Sequence, residues 1–132
     1  MNRRSMREHV FKMIFSYEFD LEVEVDTHVL NYLEEVNTKE DEVQYMLGRV
    51  KAILENKKAL DKKINDASEK WTIERMANVD AALLRLALYE IDMDEDIPTQ
   101  VAINEAIELG RQYGGDASPK FINGILAKIV ND

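Results

Sequence analysis

Apolar residues return every three or four positions along almost the whole chain, the spacing that gathers them on one face of an α-helix. Met6, Val10, Met13, Ile14 and Tyr17 form one such stripe. Ala102, Ala106, Leu109 and Tyr113 form another, and Phe121, Ile122, Ile125, Leu126 and Ile129 a third. The repeats predict seven helices, at roughly 4–19, 27–37, 40–55, 57–67, 75–93, 98–113 and 118–130. Leu21 to Val25 alternates, but the run is short and heavily acidic and reads as a connection. The expected fold class is all-α, in a single domain over 1–132.

Residues 81–89 are apolar nearly all round, with Arg85 the one charge. A helix hydrophobic on every side belongs at the centre of a bundle. Arg85 then needs a carboxylate, because an unpaired buried charge is very costly. Glu105 or Glu108 on the following helix is the expected partner. Pro98 suits the first turn of that helix. Gly114 and Gly115 end it, through the left-handed conformation that glycine takes easily. Ser118 is the expected N-cap of the last helix, with Pro119 just inside. Asn123-Gly124 reads as packing, the glycine letting a neighbouring helix approach.

Composition narrows the chemistry. There is no cysteine, so no disulfide, cysteine-ligated zinc or thiol nucleophile can form. The two histidines, His9 and His28, argue against a histidine-rich metal site. Asn104, Glu105 and Glu108 lack a histidine or third carboxylate at useful spacing. They read as groups that satisfy buried polar atoms, so no enzyme and no cofactor is expected. No apolar run approaches the ~20 residues of a membrane span. The charged start has no apolar stretch behind it, as a signal peptide would. A cytoplasmic location without membrane contact is the simplest expectation.

The net charge of -9 argues against simple nucleic-acid binding, but its distribution matters more than its sum. Arg3, Arg4, Arg7 and Lys12 stand against Glu8 alone at the start, and acidic residues follow. The lysines between 51 and 70 are interleaved with acids and read as a solvated face with ion pairs. Phe11, Phe15 and Phe19 form a second stripe on the first helix. They pack under the loop after residue 20, or the first helix is simply central, or they mark a partner site. Arginines and Lys120 can hold phosphates, and an exposed Phe121 can stack on an unpaired base. The alternative is a solvated tail and a core phenylalanine.

VAINEAIELG at 101–110 followed by PKFINGIL at 119–126 resembles the NusB family of bacterial transcription antitermination proteins. RRSMRE at 3–8 and LLRLALYE at 83–90 extend the likeness over most of the chain. The resemblance implies seven helices in two packed three-helix groups. It implies binding of single-stranded boxA-type RNA through Arg3, Arg4, Arg7, Lys120 and Phe121. It implies docking of NusE, a small ribosomal subunit protein, at Phe15, Glu74 and Asp80. The implied role is support of ribosomal RNA transcription within the RNA polymerase antitermination complex. The competing reading is a non-catalytic protein-interaction module with little RNA affinity. NusB-like domains also occur fused to RNA cytosine methyltransferases, but no cofactor-binding glycine loop is present.

Overall fold

The computed structural model describes residues 1–131 and contains, among them, seven α-helices and no strand. They are α1 (Arg3–Tyr17), α2 (Val25–Leu33), α3 (Glu40–Glu55), α4 (Lys57–Ala67), α5 (Asn78–Met93), α6 (Thr99–Tyr113) and α7 (Ser118–Asn131). One 3-10 turn, Ile73–Arg75, precedes α5. The helices fall into two compact units that divide after Glu55. The first holds the three helices α1 to α3; the second holds four, α4 to α7.

In the first unit each helix packs on the other two. Val10, Phe11, Met13, Ile14, Val29, Leu33, Met46, Val50 and Ile53 are its buried apolar side chains. α1 begins at Arg3 because Asn2 caps it: the Asn2 Oδ1 accepts the Ser5 N–H at 2.8 Å. The Met1 ammonium lies 2.6 Å from Glu42. The arginine-rich start is therefore a fixed helical turn. The stretch after α1 is a set of turns, as its acidity suggested. The Tyr17 hydroxyl donates to the Val23 carbonyl at 2.8 Å. His28 bridges Asp20 and Ser16, at 2.9 Å from each.

In the second unit α5 touches α4, α6 and α7, and Ala81 to Leu88 are all buried. Helix five starts three residues later than its apolar pattern suggests. Ile73 and Met76 are buried from the turn and its extended flank instead. The Ile73 N–H, donated to Asn65 Oδ1 at 2.7 Å, holds that turn on α4. Asp61 of α4 supplies the carboxylate for Arg85, and Glu108 pairs with Arg111 on its own helix. Asp61 is not among the expected partners, because α4 also packs on α5 and spacing along one helix does not show that.

Two glycine expectations change. No described glycine has positive φ. Gly114 matters through proximity: a Cβ there would stand 2.7 Å from Ser118 Cβ and 2.8 Å from the Gly110 carbonyl. That contact seats the start of α7 against the end of α6. Ser118 helps by accepting the Gly115 N–H at 3.0 Å, so its hydroxyl reaches back into the turn. Gly124 is exposed, and an added Cβ would meet nothing within 4 Å. Helix approach occurs at Gly110, whose Cβ would come within 2.8 Å of Ile122 Cδ1.

Candidate functional site

Arg3 and Arg4 are exposed on the first turn of α1, while Arg7, one turn on, is only 9% exposed. No acidic residue occupies that first turn. Cations at a helix N-terminus oppose the helix dipole and cost about 0.3–1 kcal/mol each. Fold stability alone would place carboxylates there. The positive end of the helix and the arginines together make a surface suited to an anion.

The first turn of α7 repeats this chemistry. Lys120 is exposed and Phe121 is partly exposed, so Phe121 has not gone into the core. Two surface depressions adjoin it. One, of about 610 Å³, carries Lys70, Lys120 and Lys128 against the single acid Glu69. The other, of about 400 Å³, carries Arg75, Asp80 and Asp116. Trp71, Ala117 and Phe121 line both and form the wall between them. Trp71 was not picked out by periodicity, because it lies in the irregular stretch between α4 and α5. Its one available signal was an aromatic residue beside Lys70 in a polar connection.

The three phenylalanines of α1 grade from inside to outside. Phe11 is buried, Phe15 is partly exposed and Phe19 is exposed. Their rings adjoin in sequence, at centroid separations of 6.1 Å and then 5.5 Å. The stripe is thus core at Phe11 and surface at Phe19, with Phe15 between them. Glu74 is exposed on the 3-10 turn. Asp80 lies in the first turn of α5 and is buried. Its Oδ1 has no hydrogen-bond partner among the described residues. An unsatisfied buried acceptor costs about 1–3 kcal/mol, more when charged. A cationic group entering the 400 Å³ depression would relieve it.

Of the carboxylates of α6, Glu108 pairs with Arg111 on its own helix. Asn104 is exposed and accepts from Gln100 at 2.9 Å, so it does not serve a buried polar group as expected. Ser16, His28 and Asp20 form a chain like a hydrolytic triad in its connectivity. Ser16, however, sits inside regular α1 and its hydroxyl donates to the Met13 carbonyl at 3.3 Å. Backbone N–H groups inside a helix are already used, so none is free to hold an oxyanion. The chain instead fastens the turn after α1. Among the described residues no helix is long and apolar enough to cross a membrane.

Comparison with known proteins accords with this geometry. The family model described as the NusB family matches residues 4–131. The chain is 43% identical over 132 residues to the transcription antitermination protein NusB of Lachnoclostridium phytofermentans, covering 99% of this chain and all of that one. It is 45% identical over 131 residues to the protein of the same name from Agathobacter rectalis, covering 98% and 100%. A T. maritima NusB structure superposes with a TM-score of 0.92 at 36% identity, covering 100% of this chain and 92% of that one. A structure of NusB and NusE in complex with double-stranded RNA shares the fold, with a TM-score of 0.80 at 22% identity and coverage of 99% and 98%.

Proposed function

The chain belongs to the NusB family of transcription antitermination proteins, and we propose that it is a non-catalytic, cytoplasmic factor that binds boxA-type single-stranded RNA together with NusE. Arg3 and Arg4 at the start of α1, and Lys120 at the start of α7, hold phosphates. Arg7, largely covered, orients that turn and adds its charge. Phe121 stacks on an unpaired base.

The observation that carries the reading is the pairing of exposed cations with a partly exposed aromatic ring at a helix start, on a chain of net charge -9. Cations there are unfavourable for the helix and favourable for an anionic ligand. The structure of NusB and NusE in complex with double-stranded RNA, which shares the fold, supports the choice of NusE and RNA as partners. Phe15, Glu74 and Asp80 are the proposed NusE contacts. Glu74 and the orphaned Asp80 suit a basic protein, and the carboxylates would steer its approach.

The test is RNA binding by fluorescence anisotropy with single variants. Phe121→Ala is expected to cost ~1–3 kcal/mol of binding. Lys120→Ala is expected to weaken all RNA sequences alike and to flatten the salt dependence. Phe15→Ala is expected to weaken NusE binding while leaving the melting temperature nearly unchanged. Wild-type affinities in all three variants would contradict these contacts, and no measurable RNA binding by the wild-type protein would return this chain to the reading of an interaction module with little RNA affinity.

A further inference from the structure

We propose that Trp71 is a second base-stacking residue, and that with Phe121 it lets the 610 Å³ depression seat a further unpaired nucleotide whose phosphate lies on Lys70 and Lys120. The proposal rests on the RNA-binding reading and extends it to residues the sequence pattern does not single out.

Three observations place a nucleotide there. Trp71 is 48% exposed, a large aromatic surface left in water on a residue type that is usually well covered. Its indole and the Phe121 ring line the same depression, so a base entering it meets two aromatic side chains. The rim is positive while the whole chain stands at -9: three lysines face one carboxylate, Glu69, which already holds Lys128 at 3.0 Å. Flat apolar surface combined with an excess of cations is the recognition chemistry of single-stranded nucleic acid. Arg75 also lies over the indole at 5.9 Å, a cation–π contact that helps orient the ring. The floor includes Gly124, where no side chain intrudes. The acidic depression on the other side of the Trp71–Phe121 wall repels phosphate, so the strand is confined to the lysine side.

Trp71 is the chain's one tryptophan, so its fluorescence reports this contact directly. Wild-type protein is titrated with a single-stranded boxA-type RNA dodecamer, following indole emission with unlabelled RNA and anisotropy with end-labelled RNA. The expected result is quenching that saturates together with the anisotropy. Trp71→Ala is expected to lower affinity roughly 5- to 150-fold, the equivalent of one stacked base, and Trp71→Phe to restore much of it. Because the indole is half exposed, both variants should melt near the wild-type temperature, and the wild-type quench stands even if one does not. Anisotropy showing tight RNA binding with unchanged emission and full affinity in Trp71→Ala would overturn the role of Trp71 and leave the RNA-binding function standing. At low salt, where the protein alone is expected to bind, no anisotropy change with wild-type protein would overturn both. A Trp71→Ala defect confined to a basic protein partner would assign the indole to that interface and overturn the proposal as well.

Discussion

Arg85 of α5 grips both carboxylate oxygens of Asp61 of α4, Nε to Oδ1 at 2.7 Å and Nη2 to Oδ2 at 3.0 Å. The fork geometry of the guanidinium makes the contact directional, so it fixes the register of α4 on the central helix as well as neutralising a buried charge. Removing Asp61 takes away the carboxylate that the guanidinium fork grips. Asp61→Ala is expected to cost about 3 kcal/mol in urea unfolding. Replacing both residues by leucine should recover most of that loss. Equal losses in the single and double variants would mean that the pair does not act as a unit.

The two glycines flanking the start of α7 should respond oppositely. Gly124→Ala adds a methyl group to open space within a helix and should stabilise by roughly 0.5–1 kcal/mol. Gly114→Ala drives a Cβ into Ser118 and the Gly110 carbonyl and should destabilise by about 1–3 kcal/mol. Since that contact seats the turn carrying Lys120 and Phe121, Gly114→Ala should weaken RNA binding too. Chemical denaturation of the two variants checks the signs. A destabilised Gly124→Ala would mean that the residue packs against something.

His9 gives the first unit a pH response. Its Nδ1 lies 2.8 Å from the Tyr32 hydroxyl. Burial foremost, and then the Lys12 charge, hold its pKa below the ordinary value of about 6.5, with Glu8 opposing them. The folded state therefore binds the proton less readily than the unfolded state. The contribution to stability is complete above the ordinary pKa and is lost as pH falls through it towards the folded value. Wild-type protein should thus lose stability relative to His9→Gln on acidification from about pH 7.5 to about pH 5. Parallel stability curves would exclude this coupling.

At α1, helix stability and RNA binding should pull apart. Arg3→Glu places an anion where the helix dipole favours one and should raise stability by about 0.3–1 kcal/mol. The same change should weaken RNA binding at low salt. A variant that is more stable and binds RNA as before would separate Arg3 from the phosphate surface.

Helical periodicity was enough to read the seven helices, because each has a buried stripe and the connections break it with acids, glycines or Pro98. The late start of α5 escaped it, since Ile73 and Met76 keep the apolar rhythm while lying in a turn and extended backbone. Arg85 could be read as buried and paired, but its partner depends on which helix covers that face, and spacing along one helix carries no such information. Phe121 and Lys120 were legible through the motif at 119–126. Trp71 was not, because an irregular segment has no period against which an exposed aromatic residue stands out. The unsatisfied Oδ1 of Asp80 likewise exists only as a three-dimensional fact.

The central claim is cooperative RNA binding with a basic partner, on a chain whose own charge of -9 opposes RNA. The most direct measurement is anisotropy of labelled boxA-type RNA titrated with this protein at two salt concentrations, with and without NusE. Alone, the protein should bind weakly at physiological ionic strength. With roughly three phosphates neutralised, log affinity should fall against log salt with a slope near -2. With NusE present the affinity should rise, and by linkage RNA should tighten the protein–NusE complex by the same factor. Identical RNA affinity in the presence and absence of NusE would contradict the account.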